Sequence, residues 1–456
     1  EREFESYWFE VLDRKLISIC PPARDTGPAY CLDLDAAPQF TLVASDSDSA
    51  WRWARATGNN VLDQYQAFFV RLDRLLAPPA FHKVITLQYL LGLIRSAGPE
   101  SSAKVLKDWL NEFGLPATVL LSAPLRDGGD VIVAACIPKL DGEAATKAQD
   151  GFRTGKVPSN LLVAWAMAER VHRLKVSRAD PGFLLPRGGA TVDLRTKTVA
   201  VIGCGSVGSF TASPLAARGV GHLALVAAQH RQPKNVHRHV LGAAHVGQAK
   251  VTALGRVLRS RFPHLQVTEV VSSVEKCLDK PGSPVLTADL VVFALGEDNL
   301  ELQLNKFLRD GPRRVHVWLD PLGVGGHLLR VGTGNSPGCF ECLFRSDPER
   351  GMTNMASLVA PNQKFQRSLA GCAGTFTPFG ALDAERAGIE AAREVVRCLT
   401  TASPEAMLTT WMISKNAIID AGYRLSARGT SIPDDALVRH GEIARSDCSV
   451  CAGGTP

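Results

Sequence analysis

No run in the 456-residue sequence approaches the roughly 20 consecutive apolar residues of a bilayer-spanning helix, so no membrane segment or membrane partner is expected. The start, Glu1-Arg2-Glu3-Phe4, has no basic stretch leading into an apolar core and does not read as a signal peptide. It also lacks Met, so the expectation is a processed chain or a piece of a longer one. Basic residues are scattered and no basic tract is interleaved with aromatics, which argues against nucleic acid. A formal charge of +6 is mild at this size and would at most favour an acidic protein partner. The 11 cysteines are odd in number and lack the spacing of a small disulfide scaffold, which points to a reducing, cytoplasmic setting. The length allows two or three domains, each with its own core.

The first 190 residues lack any glycine-rich phosphate turn. Phe4, Tyr7, Trp8, Val11 and Leu12 recur at helical spacing, and Trp51 and Trp53 alternate around Arg52 as in a half-buried strand. Helices are predicted over 84–95 and 103–113. Strands are predicted over 117–123 and 131–137, joined through the hairpin-type turn Arg126-Asp127-Gly128-Gly129. A third helix is predicted over 161–176, with Arg170, Arg173, Lys175 and Arg178 towards its end, where cations complement the helix dipole. The breaker-rich stretch from Asp180 to Gly189 marks a domain boundary.

Beyond residue 190 the chain changes character. Val199 to Ile202 is a short apolar run of the kind a buried parallel strand shows. It enters Gly203-Cys204-Gly205-Ser206-Val207-Gly208, and helical spacing comes next. That strand, turn and helix context is what the glycine fingerprint of a nucleotide site requires. Gly203 permits the tight turn, Gly205 lets backbone N–H groups approach a phosphate, and Gly208 lets the helix pack close. A dinucleotide enzyme would place an acidic residue at the end of the second strand, 222–226. Here Ala227, Ala228 and Gln229 stand after it, which counts against NAD. Asn235, Arg238 and Lys250 come soon after, and an arginine fork with a lysine point charge suits a triphosphate. Asp298, after the apolar strand 290–294, can hold Mg²⁺ through one carboxylate or simply cap the helix over 299–308. The strand 315–319 completes the alternation of a doubly wound sheet.

Two Cys-x-x-Cys knuckles, Cys339/Cys342 and Cys448/Cys451, each supply one edge of a tetrahedral site, and together they close a structural Zn²⁺ centre. Cys372 stands between glycines just before the apolar helix 381–399. A thiolate there could attack an activated acyl group, or the residue could be a buried core cysteine.

In combination and in this order, these residues resemble the ThiF/MoeB-type adenylyltransferases, which include the enzymes that activate ubiquitin and ubiquitin-like proteins. The resemblance spans about residues 195–451. It rests on Gly203-x-Gly205-x-x-Gly208, Asn235-Val-His-Arg238, Val246-Gly-Gln-Ala-Lys250, Glu297-Asp298-Asn299, Pro337-Gly-Cys339-Phe-Glu-Cys342 and Cys448-Ser-Val-Cys451. It implies an α/β fold in which a Rossmann-like, doubly wound, mostly parallel sheet forms an adenylation domain over 192–456. Residues 1–185 would form a linker or inactive adenylation-like domain, either α+β or degenerate. The resemblance further implies ATP with Mg²⁺, held by Gly203, Gly205, Gly208, Asn235, Arg238, Lys250 and Asp298, and a ubiquitin-like protein whose C-terminal carboxylate is adenylated. Arg238, Lys250 and Asp298 would act in catalysis. Cys372, on a crossover loop at about 346–380, would take the acyl group as a thioester and pass it to a conjugating enzyme.

The layout is closest to the bacterial ubiquitin-like activating enzymes of antiphage defence, of the CBASS and Bil kinds. The family builds its site at a two-fold contact, so a homodimer or an internal pseudo-dimer is implied, with Arg173 or Arg178 as candidates to reach the phosphates. A sulfur-carrier adenylyltransferase and a scaffold that binds a ubiquitin-like protein remain the rivals. The sequence departs from the family where Ala227 stands in place of a ribose-binding Asp and Gln229 in place of a second acid.

Overall fold

The computed structural model describes residues 8, 11–37, 39–76, 83–126, 128–140, 146, 151–153, 157–333, 336–347, 351–368, 375–401 and 405–452. It divides into two compact units, Glu1–Arg187 and Gly188–Pro456.

The first unit is built on seven strands: β1 (Val11–Ser18), β2 (Gly27–Leu34), β3 (Phe40–Ala44), β4 (Val61–Arg71), β5 (Ala117–Pro124), β6 (Asp130–Ile137) and β7 (His172–Arg178). They close into a barrel in the order β1-β3-β2-β4-β5-β6-β7, with β7 returning to pair parallel with β1. Period-two alternation divides each strand between two cores. Leu16, Cys31, Val43, Phe69, Leu120, Ile132 and Leu174 come from all seven strands and fill the interior. Phe68, Val119, Leu121 and Val133 face outward onto helices Leu87–Ala97 and Ser102–Phe113. The unit is therefore α+β and closed, and it is not a second open doubly wound sheet.

Two sequence expectations fail in this unit, and a third fails only at Val11 and Leu12. The long helix over 161–176 is only a short one, Ser159–Trp165, and the chain then becomes β7. Leu174 and Val176 point inward at alternate positions, and barrel closure with β6 and β1 outweighs the local helical spacing. Trp51 and Trp53 lie in a helix, Ser47–Thr57, whose start is fixed by Asp46 accepting from Ser49 N at 2.8 Å. Ala50 and Ala54, one turn apart, are its buried face. At the start of the chain, Val11 and Leu12 belong to β1, while Trp8 is buried and donates from Nε1 to Ala134 O at 3.0 Å. Phe4 and Tyr7 lie outside the described residues.

The second unit is an eight-stranded sheet, β10-β9-β8-β11-β12-β13-β18-β19. The first five are parallel: β10 (Gln266–Val270), β9 (His222–Val226), β8 (Thr198–Ile202), β11 (Leu290–Phe293) and β12 (Arg313–Leu319). The remaining three add antiparallel: β13 (Gly325–Val331), β18 (Met407–Met412) and β19 (Leu437–His440). Two small hairpins, β14 (Phe344–Asp347) with β15 (Gly351–Asn354) and β16 (Arg367–Ser368) with β17 (Thr375–Phe376), stand apart from the sheet. Chain order reverses between β8 and β11, so the crevice at the carboxyl ends of these two strands is the switch point where such sheets hold ligands. The helices Ser206–Ala217, Lys250–Arg261, Asp298–Phe307 and Ala381–Thr400 connect or cover the strands.

Candidate nucleotide and metal sites

Steric demands explain two of the three glycines at the end of β8. Gly203 has φ +89°, and a Cβ there would lie 2.6 Å from Ala294 O. A Cβ on Gly208 would lie 2.0 Å from Gly203 O. Gly205 differs, because the space its Cβ would occupy is open. It is also the residue preceding helix Ser206–Ala217, whose first N–H groups receive no side-chain cap from it. An exposed helix start beside a bare backbone suits an anion.

Gly205, Ser206 and Asp298 border one cavity of about 930 Å³, together with Asp320, Glu275 and Phe379. Asp298 lies in the first turn of helix Asp298–Phe307, and Glu297 holds the N-cap position, so the capping alternative does not apply. Burial, then Glu301, then Asp320 push its carboxyl above the usual range. A divalent cation would relieve that crowding.

The basic residues collect behind the glycine turn. Lys250 is buried and donates from Nζ to Gln229 Oε1 at 2.5 Å. Burial and the like charges of Arg231, Lys234 and Arg238 lower its pKa, opposed by the Cys204 thiol. The Arg238 guanidinium lies 4.6 Å from the ring centroid of Phe379, a wall of the cavity. Arg238 Nε and Asn235 Oδ1 are buried without a hydrogen-bond partner among the described residues. Crowded cations and the unsatisfied Arg238 Nε–H donor beside an open backbone fit a polyanionic ligand. His239, next in the chain, donates from Nε2 to Cys204 O at 3.0 Å and accepts at Nδ1 from Leu241 N at 3.1 Å. Those two bonds require the neutral ring, and burial brings its pKa down to about 4.

The four knuckle cysteines meet as the spacing predicts. The Sγ atoms of Cys339, Cys342, Cys448 and Cys451 all lie within 4.8 Å of one another. Cys339 is 3.6 Å from Cys448, and Cys342 is 3.3 Å from Cys451. Tetrahedral zinc with sulfur at 2.3 Å separates its ligands by roughly 3.8 Å, so the cluster can bind one zinc ion. Glu341 Oε1 accepts from Ser449 N at 3.2 Å and so ties the second knuckle to the first.

Cys372 lies outside the described residues. The candidate arginines of the first unit are engaged within it. Arg173 is buried in β7, and Arg178 is held by Asp180 through two bonds of 2.9 and 3.0 Å. Asp320 borders the same cavity and is not among the residues singled out from the sequence, although it too follows an apolar strand. It ends β12 much as Asp298 follows β11, and its Oδ2 is fixed by Leu358 N at 2.5 Å and by buried His327 at 3.2 Å.

An open, doubly wound sheet with a glycine turn at its switch point defines an α/β domain of the nucleotide-binding kind. The ThiF family model matches residues 184–414, and the chain belongs to that family. It is 27% identical over 282 residues to an Escherichia coli ATP-dependent ubiquitin transferase-like protein Cap2, covering 59% of this chain and 46% of that protein. It is 28% identical over 407 residues to the uncharacterized protein y4oA of Sinorhizobium fredii, covering 78% and 66%. With the adenylyltransferase and sulfurtransferase MOCS3-1 of Zea mays it shares 31% over 185 residues, 38% of this chain and 37% of that one. The chain thus spans between a third and two thirds of the length of these relatives. Among solved structures, E. coli MccB with ATP aligns over 80% of this chain and 88% of its own, at 16% identity and a TM-score of 0.39. Among the described residues, no helix is long and apolar enough to cross a membrane.

Proposed function

We propose that this chain is an activating enzyme for a ubiquitin-like protein in bacterial antiphage defence. ATP binds with its phosphates on Gly203, Gly205 and Gly208, beside Asn235, Arg238 and Lys250. The partner's C-terminal carboxylate oxygen attacks the α-phosphorus. A C–O–P bond forms, and the bond to pyrophosphate breaks. The family membership and the Cap2 similarity support this reading. The single observation that carries it is the shared cavity of Gly205, Ser206 and Asp298, with Arg238 over its Phe379 wall.

Electrostatic stabilisation supplies most of the catalysis, since the transferring phosphoryl centre gathers negative charge. Mg²⁺ held by Asp298 and phosphate oxygens would neutralise part of that charge. In a second step the Cys372 thiolate attacks the acyl carbon; a C–S bond forms and AMP leaves with the electron pair of the broken C–O bond. The acyl group then passes to the cysteine of a conjugating enzyme. Zinc on the four knuckle cysteines is structural, because four thiolates leave no open coordination position. Residues 1–185 are accessory, and the enzyme works as a homodimer or an internal pseudo-dimer.

ATP–pyrophosphate exchange that depends on the ubiquitin-like protein tests the first step; a zinc-loaded, folded chain without exchange would sink it. A DTT-sensitive adduct that disappears in Cys372→Ser while exchange persists tests the second. Ala227 and Gln229 favour one rival, a scaffold that holds the partner without nucleotide. The MOCS3-1 similarity favours another, sulfur-carrier activation with no conjugating enzyme. ATP calorimetry separates the scaffold, and the identity of the acyl acceptor separates the sulfur-carrier reading.

A further inference from the structure

We infer that the nucleotide site does not select for the sugar and takes ribo- and deoxyribonucleoside triphosphates alike. This deepens the adenylation reading and rests on it. In a doubly wound sheet whose glycine turn holds the phosphates, the sugar hydroxyls fall at the end of the second strand, where a carboxylate normally receives them. Here Gly203 N donates to Val226 O at 2.9 Å, so the residue after Val226 sits directly beside the glycine turn. That residue is Ala227. Its own N–H donates to Val270 O at 3.2 Å, which holds the backbone in line with β10 and keeps the methyl group at that position.

Two residues on, Gln229 offers an amide, but its Oε1 already accepts from Lys250 Nζ at 2.5 Å. What remains is the Nε2 group, a neutral donor to a hydroxyl oxygen, and such a bond contributes less than one to a charged group. The cations acting on Lys250, Arg231, Lys234 and Arg238, carry no acceptor and so cannot receive a hydroxyl hydrogen as a carboxylate would. Binding is thereby concentrated on the phosphates, which ribo- and deoxynucleotides share. Four carboxylates border the cavity, Glu275, Glu297, Asp298 and Asp320; Glu275, at the start of helix Val274–Leu278, follows β10, the strand that Ala227 bonds, and is the one the experiment separates from Ala227.

The test is calorimetry of the full chain in Mg²⁺ with ATP, 2′-deoxy-ATP and 2′,3′-dideoxy-ATP. The three dissociation constants are expected to agree within tenfold, since a hydroxyl bonded to a carboxylate would separate them by roughly 10- to 100-fold. In Ala227→Asp, ATP should tighten by about tenfold or more while dideoxy-ATP does not. A preference of tenfold or more for ATP in the unmodified chain overturns the inference and leaves the adenylation reading standing. If Glu275→Ala erases that preference, the sugar is held from the helix instead. A folded Ala227→Asp with no added preference also overturns it, because the sugar then lies elsewhere. Failure of all three nucleotides to bind overturns both readings.

Discussion

Phe340 lies flat on His316, with ring centroids 4.4 Å apart and planes 11° from parallel. Phe340 sits between the two cysteines of the first knuckle, and His316 is a fully buried residue of β12. The other face of the imidazole stacks on Phe293 at 4.8 Å. Its Nδ1 bonds Glu301 Oε2 at 2.7 Å, and Glu301 Oε1 in turn accepts from Gly296 N at 3.3 Å. Asn305 Oδ1 accepts from Phe340 N at 3.2 Å. Helix Asp298–Phe307 is therefore fastened to the cysteine cluster at two points, while Asp298 at its start borders the cavity.

Metal removal should show this linkage. The intact chain is expected to carry one zinc ion, measurable by elemental analysis, and Cys448→Ser should carry almost none. Loss of the metal should destabilise the second unit by roughly 3 kcal/mol or more, because four clustered thiols, three of them buried, then lose their common ligand. Hydrogen exchange should accelerate over 298–307. Unchanged exchange there in the zinc-free chain would contradict the linkage.

Acid sensitivity should be traceable to His239. Its folded pKa, about 4, lies below the unfolded value of 6.5, so between these values the unfolded chain binds the extra proton. Stability from this residue is present above pH 6.5 and is lost as pH falls towards 4, by up to about 3 kcal/mol. His239→Gln keeps a donor and an acceptor but cannot protonate. Urea unfolding at pH 7 and pH 4.5 should show a smaller loss for the variant than for the parent.

Asp298 works in the opposite direction. Its pKa is raised in the fold, so between 3.8 and that higher value the folded chain holds a proton that the unfolded chain has released. Its contribution falls as pH rises through that window. Asp298→Asn is expected to be slightly more stable than the parent at neutral pH, by no more than about 0.5 kcal/mol, since the side chain is only partly withdrawn from solvent and its charge is screened. The same variant should lose the stabilisation that Mg²⁺ gives to nucleotide binding. Thermal melts with and without Mg²⁺ and ATP read both effects.

The glycines of the turn should divide cleanly on substitution. Gly208→Ala forces a methyl group against Gly203 O and should cost at least about 3 kcal/mol or prevent folding. Gly205→Ala meets open space and should cost about 1 kcal/mol or less. Its effect should appear instead as weaker ATP binding, because the methyl stands where a phosphate would approach. Equal loss of stability in both variants would contradict this division.

The second unit is readable from sequence because its signals are local. Short apolar runs such as Val199–Ile202 and Leu290–Phe293 make buried parallel strands, a contact within the turn itself demands Gly208, and the positive φ of the turn demands Gly203. The cysteine spacing also carries enough geometry to anticipate a four-sulfur cluster. The barrel is harder to read. His172–Arg178 becomes a strand only because β1 and β6, far away in sequence, need an edge to close against. The alternation of Trp51 and Trp53 is too short to outweigh the Asp46 cap and the Ala50/Ala54 spacing. Asp320 is positioned by His327 on the neighbouring antiparallel strand and by Leu358 N, partners that no local pattern reveals.

Thr377 forms part of the cavity wall, and Cys372 precedes it by five residues along the chain. Five fully extended residues reach at most about 18 Å. The covalent chain alone thus limits how far Cys372, the nucleophile of the proposed second step, can lie from the chamber wall. The proposed second step would therefore draw its thiol from the same chain and need none from solution.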